Sequence, residues 1–250
     1  LSAYYEVLYG WLALSALTFV SLLKRAAPYG RHQRRGWGPG MPARWGWLLM
    51  EAPAAIVMPA LALPVVVHEA WAQGGLLVAL WVLHYGHRGF VFPFRLRSSR
   101  PMPLVVALVG LGFNVVNGWL VATGLTRFGP ELGHASLLSP RVLAGAALFV
   151  LGLAVNWDAD ARLLRLRRER SDGYAIPSGG LYRYVSCPNY FGELVEWAGF
   201  ALASGSLAAL AFFVWSAANL APRARAHHLW YRAQFPDYPC ERKALVPFVW

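Results

Sequence analysis

Of the 250 residues, 57% are hydrophobic and only 14% are charged, whereas a soluble domain usually carries about a quarter charged residues. The apolar residues gather in runs approaching the roughly 20 residues that a bilayer-spanning helix needs, which excludes one or two ordinary soluble domains. The formal net charge of +11 would point to nucleic acid in a soluble protein. Here the bases lie between apolar runs, where the positive-inside rule puts them, and no nucleic-acid partner is expected.

The first apolar run extends from about Leu8 to Leu23, followed by a basic, Gly/Pro-rich loop from Lys24 to Arg44. The second, Trp45 to Val67, contains Glu51, Pro53, Pro59 and Pro64. The third runs from Trp71 to about Phe92, and the fourth, Pro103 to Thr123, contains Asn114 and Asn117. The fifth spans Val142 to Trp157. A polar stretch, Asp158 to Ser186, then carries a turn-like Pro177-Ser178-Gly179-Gly180. The sixth run, Tyr190 to Ala203, is short and holds two glutamates; Ser204-Gly205-Ser206 is a predicted turn before the seventh, Leu207 to about Leu220. A basic, aromatic segment, Pro222 to Trp250, ends the chain. The opening residues lack a basic n-region, so no cleaved signal peptide is expected, and the missing initiator Met leaves room for a few preceding residues.

Charge tests the number of spans. With seven, all but Arg127 and Arg141 of the 23 lysines and arginines fall on one side, together with the C-terminus. Six spans would move the C-terminal bases across and weaken that asymmetry. The expectation is an all-α polytopic membrane protein with seven transmembrane helices, N-terminus outside and C-terminus cytosolic. Residues 1–250 are read as a single membrane-embedded domain.

Several polar residues sit where hydrocarbon should exclude them. Glu51 lies within the second run, and an intramembrane carboxyl is a functional candidate, expected to be neutral or strongly hydrogen-bonded. The alternative is a hydrogen bond that only packs helices. His84-Tyr85-Gly86-His87-Arg88 ends the third run, with His84 and Arg88 on one helix face. A tyrosine there is commonly an interfacial anchor; a glutamate on the neighbouring helix raises its interest. Three polar stripes follow: Asn156, Asp160 and Arg167; Asn189, Glu193 and Glu196; Arg223, His227 and Tyr231. Together they suggest a large, phosphate-bearing polar ligand, since guanidinium groups suit phosphate and Asn and Asp suit ribose or amide groups. Singly, each is better explained by helix–helix hydrogen bonds or solvated charge. There is no GxGxxG, Walker A, HExxH or GxSxG motif. The two cysteines, Cys187 and Cys240, form no CxxC, so neither a metal site nor a disulfide framework is expected. Composition and spacing thus yield a polar, cytosol-facing pocket beside an apolar one, without naming a reaction.

The chain resembles the steroid 5α-reductase family. The resemblance is carried by Ile176-Pro177-Ser178-Gly179-Gly180-Leu181-Tyr182-Arg183-Tyr184-Val185-Ser186, Asn189-Tyr190-Phe191-Gly192-Glu193, Glu196-Trp197, Phe235-Pro236-Asp237-Tyr238-Pro239 and Arg242-Lys243-Ala244-Leu245-Val246-Pro247-Phe248. Glu51-x-Pro53 and His84-Tyr85-x-His87-Arg88 look like the family's substrate-side motifs. The resemblance implies a seven-helix enzyme that takes hydride from NADPH to reduce the Δ4 double bond of a 3-oxo-steroid. It implies Glu51 and Tyr85 as the catalytic pair at the C3 carbonyl. Tyr29, Arg88, Arg100, Asn156, Asp160, Arg167, Tyr174, Asn189, Glu193, His227 and Tyr231 would bind cofactor. Residues up to about 123 would serve mainly the substrate, and those from about 141 mainly the cofactor. Met50 replaces a common Gln and Ala175 a common Arg, which bears on the carbonyl-side network and on the choice between NADPH and NADH.

The competing readings are a membrane reductase of a sterol or enoyl-CoA double bond, an isoprenylcysteine-type methyltransferase, and a receptor or transporter. Methyltransferases of that type usually have Arg-His-Pro where Ser186-Cys187-Pro188 stands. The expected partners are a steroid or sterol-like lipid and membrane lipid, with the chain a monomer. Ala-, Arg- and Gly-rich usage suggests a GC-rich bacterial source, hence the inner membrane; a eukaryotic source would mean the endoplasmic reticulum.

Overall fold

The computed structural model describes residues 2–96, 100–128, 136–169 and 174–250. Two of the bases used in the charge count, Arg97 and Arg170, lie outside the described residues. The described chain is mostly helical: α1 Ser2–Lys24, α2 Ala43–His68, α3 Ala72–Gly86, a π-helical segment His87–Val91, α4 Phe92–Arg95, α5 Leu104–Arg127, α6 Pro140–Glu169, α7 Pro188–Ser204 and α8 Leu207–Gln234. Among the described residues, five helices are long and apolar enough to cross a membrane: α1, α2, α5, α6 and α8. Large apolar side chains stand outward on these helices, for example Leu17, Val67, Val109 and Leu151. Water would penalise that arrangement, whereas hydrocarbon does not, so the protein is polytopic in a membrane.

The seven predicted runs all correspond to helices, but α3 and α7 fall short of the length expected of a span. α3, with 15 residues, passes directly into the π-helical segment and α4. α7 has 17 residues and carries Glu193 and Glu196. Two helices outrun their apolar segments. α6 continues to Glu169, where Arg, Leu and Glu favour helix, and α8 continues through Pro222 to Gln234. The predicted turn between α7 and α8 is present, with Gly205 at φ +67°, a left-handed conformation that glycine adopts without steric cost.

The chain divides into two compact units. One comprises Ala27–Ala147 and Gly199–Phe212. Its frame is α2 against α5 and α3. Gly118 lets α5 approach α2 closely, since a β-carbon there would lie 3.2 Å from Val57 Cβ and 3.4 Å from the Met58 amide nitrogen. The fully buried Trp81 of α3 donates its indole N–H to the Ala54 carbonyl of α2 (2.8 Å) and packs on Phe200 and Phe212. A short antiparallel pair, β1 Gly40–Met41 with β2 Met102–Pro103, straps the loop before α2 to the start of α5.

The other unit comprises Leu1–Ala26, Leu148–Ala198 and Phe213–Trp250. Here α6 and α7 cross with their backbones in contact. A β-carbon on Gly192 would lie 2.6 Å from both the Asn156 nitrogen and the Gly152 carbonyl oxygen. α1 is tied to α8 by Trp215, whose indole N–H donates to the Trp11 carbonyl at 2.7 Å. The C-terminal tail returns to the segment before α7: Lys243 N–H donates to the Tyr184 carbonyl and Ser186 N–H to the Lys243 carbonyl, both at 2.9 Å.

Candidate active site

Glu51 and Tyr85 belong to neighbouring helices of the same unit. Trp81, Tyr85 and Gly89 follow at four-residue spacing along α3 and the π-helical segment, a stripe that stays on one side of a helix. Trp81 bonds to Ala54, and Gly89 lies so close to α2 that a β-carbon would meet Ala52 N at 3.3 Å and the Glu51 carbonyl carbon at 3.4 Å. Tyr85, between those two contacts, is 4% exposed and stacks obliquely on Trp81 with ring centroids 4.8 Å apart. The buried His84 meets its edge, also at 4.8 Å. Glu51 is half-buried, and its Oε2 lies 3.4 Å from the Asn114 amide nitrogen. Tyr85 thus lies between two residues that touch α2, one of them at the Glu51–Ala52 main chain, and the Glu51 carboxyl reaches Asn114 of α5.

The π-helical turn at His87–Val91 directs Arg88 into an aromatic pocket, with its guanidinium carbon 4.9 Å from the Trp47 ring and 4.6 Å from Phe92. π-Helical turns of this kind are frequent at functional sites. Tyr29 meets the other edge of this group, T-shaped against Trp47 at 6.5 Å. Arg100 is exposed and donates to the Gly30 carbonyl at 3.3 Å. Tyr29, Arg88 and Arg100 thus collect around Trp47 and the loop at Gly30.

In the other unit, Asn156, Asp160 and Asn189 form one network. Asn156 Nδ2 donates to the Asn189 carbonyl and Asn189 Nδ2 to Asp160 Oδ1, each at 3.0 Å. Asn156 and Asp160 are buried. The glycine crossing brings them together, because only at such an approach do side chains this short bridge two helices. Arg167, on the same helix, is exposed. Tyr190 Oη accepts from Arg223 Nη2 at 3.0 Å and lies 3.2 Å from His227 Nε2. Tyr231 stacks almost parallel on Tyr238 (5.3 Å, 8°), and Tyr174 packs edge-on to Trp230 at 4.9 Å. Ser186 Oγ, 2.7 Å from both His228 Nδ1 and Tyr238 Oη, ties the tail beneath Tyr231.

These residues fit a nicotinamide dinucleotide chemically. Oε2 of Glu193 is buried without a hydrogen-bond partner among the described residues, an acceptor suited to an amide N–H. The Arg223 guanidinium, which also bonds Asn219 and Tyr190, would suit a phosphate, and the Asn/Asp network would suit a ribose. Among the described residues no cluster of His, Cys, Asp and Glu forms a metal site.

Sequence reasoning passed over Asn114, Tyr190 and Ser186 as bonding centres. The asparagine was visible as a polar residue inside an apolar run, but its partner on α2 is distant in sequence. Tyr190 and Ser186 lay within matched motifs without any signal of their contacts.

The sequence model of the 3-oxo-5-alpha-steroid 4-dehydrogenase family matches residues 100–250. The chain is 40% identical over 238 residues to a steroid 5-alpha-reductase of Gossypium hirsutum, covering 93% of this chain and 92% of that protein. It is 39% identical over 242 residues to 3-oxo-5-alpha-steroid 4-dehydrogenase 1 of Bos taurus, covering 95% and 93%. It is 38% identical over 240 residues to 3-oxo-5-alpha-steroid 4-dehydrogenase 2 of Macaca fascicularis, again covering 95% and 93%. With such similarity across nearly its whole length, the chain belongs to the 3-oxo-5-alpha-steroid 4-dehydrogenase family.

Proposed function

We propose that the protein is an NADPH-dependent 3-oxo-5α-steroid 4-dehydrogenase that reduces the Δ4 double bond of a 3-oxo-steroid. The observation that supports this reading is that residues on either side of Tyr85, Trp81 and Gly89, touch α2, at Ala54 and at the Glu51–Ala52 main chain. Bound NADPH supplies a hydride to C5 from its nicotinamide. As electron density moves from the C4–C5 double bond toward the C3 oxygen, the Tyr85 hydroxyl and the neutral Glu51 carboxyl donate hydrogen bonds to that oxygen. Donors fixed beforehand in an apolar cavity stabilise developing charge far better than mobile water does. The resulting enolate takes a proton from water at C4 as the C3 carbonyl re-forms, which with the hydride completes the addition of two hydrogens.

Asn156, Asp160, Asn189 and Glu193 are the proposed partners of ribose and amide groups on the cofactor. His227, Tyr231 and Tyr174 shape the surrounding surface, and Arg167, Arg88, Arg100 and Tyr29 are its further proposed contacts. The wider reading keeps seven spans, with α3 and α7 as the shorter two, the N-terminus outside and the C-terminus cytosolic, as the distribution of bases favours. The bilayer is then the reservoir from which a water-insoluble substrate partitions.

Tyr85→Phe and Glu51→Gln are each expected to lower turnover about 10²- to 10³-fold, the effect of removing one oxyanion donor. NADPH binding is expected to remain within about three-fold of wild type, a small shift on the scale of binding free energies. Steady-state rates with a Δ4-3-oxo-steroid and an NADPH titration check this. Wild-type turnover by either variant contradicts the role given to that residue.

A further inference from the structure

We infer that Asn114 is a positioning residue that fixes the orientation of the Glu51 carboxyl and the oxygen on which its proton sits. The inference rests on the reading of Glu51 as a donor to the ketone.

Asn114 of α5 is 4% exposed, and both of its polar contacts lie on α2. Nδ2 donates to the Met50 carbonyl at 2.7 Å, a short and strong bond, and reaches Glu51 Oε2 at 3.4 Å. The first contact anchors the amide on the main chain one residue before Glu51. The second brings an N–H to one particular carboxyl oxygen. An amide nitrogen donates and does not accept, so Oε2 serves as the carbonyl-type oxygen of the neutral acid and the proton sits on Oε1. A carboxyl that must donate to a ketone needs that division of labour between its oxygens. Without it, the acid proton divides between two oxygens and two orientations.

The local packing explains why the donor comes from α5. Gly110, one turn before Asn114, has no side chain, and the Met50 thioether fills its place; a β-carbon at Gly110 would lie 2.6 Å from Met50 Sδ. A thioether has no N–H to offer. With methionine beside the acid, the amide donor at this level is carried by the neighbouring helix. Burial of the Asn114 amide raises the value of such a bond, because little water competes for that donor.

The test compares wild type, Asn114→Leu, Glu51→Ala and the double variant, with NADPH and a Δ4-3-oxo-steroid. Asn114→Leu is expected to lower kcat about 10- to 100-fold, with the steroid KM and NADPH Kd within about three-fold of wild type, the split expected of a group that acts only as charge develops. In the Glu51→Ala background, Asn114→Leu is expected to change the residual rate less than about two-fold, because the two residues act as a unit. Asn114→Ala, which introduces no larger group, gives the same pattern if the leucine variant does not fold. A near-wild-type kcat in a folded Asn114 variant, or an equal loss in the Glu51→Ala background, overturns the inference and leaves the role of Glu51 standing. Wild-type turnover by Glu51→Ala overturns both.

Discussion

At Tyr238 a single phenol joins the C-terminal tail to the surface that carries Tyr231. Its ring stacks on Tyr231, its hydroxyl lies 2.7 Å from Ser186 Oγ, and the buried Arg242 guanidinium sits 5.2 Å from its centroid. Burial, the largest influence, pushes its pKa above the ordinary tyrosine range of about 10. The folded protein therefore holds Tyr238 neutral at pH values where the unfolded chain has begun to ionise it. The stability it contributes is fully present below about pH 10 and is lost as pH rises through the higher folded value. Tyr238→Phe keeps the stacking but loses the hydroxyl bond, at an expected cost of about 1 kcal/mol at neutral pH. It is also expected to flatten the alkaline fall in stability. Unfolding followed in detergent across the alkaline range checks both, and an unchanged alkaline profile in the variant contradicts this role for the hydroxyl.

Among elements, the α6–α7 crossing controls the candidate cofactor network. Gly152 and Gly192 put the two backbones in contact, so that Asn156 and Asn189 reach across. Gly192→Ala places a methyl against backbone atoms that cannot swing aside. It is expected to cost about 1–3 kcal/mol and to weaken NADPH binding together with stability. Thermal unfolding and an NADPH titration on the same preparation test this, and a variant unchanged in both contradicts it. The sequence showed Gly192 inside a motif but not its partner, because a crossing is set by packing forty residues apart at about the reach of backbone to backbone. The spans were legible because hydrocarbon demands long apolar segments, and so was the turn at Gly205, which needs a left-handed residue. The polar stripes on α6 and α8 were legible from helical spacing, and Asn156 and Asp160 do lie buried on one face. The π-helical segment was not read, although Pro93, which has no N–H to bond back to the Gly89 carbonyl, stands just beyond it. The shortness of α3 was equally hidden by apolar residues that continue past its end, whereas that of α7 was legible in the short run from Tyr190 to Ala203. Asn114 was visible only as a polar residue in a lipid-like run; its bond to Met50 depends on how α5 packs on α2.

For the molecule as a whole, the described residues hold five helices long and apolar enough to cross a bilayer. The scarcity of charge follows from the same solvent, and the few charges that remain inside helices become candidates for chemistry. Family membership, shared with plant and mammalian relatives across most of their lengths, is the coarse result; the Δ4 reduction with NADPH is the specific reading built on Glu51 and Tyr85. Its decisive check is a single incubation of the purified protein in detergent with NADPH and a Δ4-3-oxo-steroid, following cofactor absorbance and product mass together. Steroid-dependent consumption of NADPH, matched by a product heavier by two hydrogen atoms and saturated at C4–C5, is the expected result. A protein that binds no NADPH, or that consumes it without any change in the steroid, contradicts the proposed reaction.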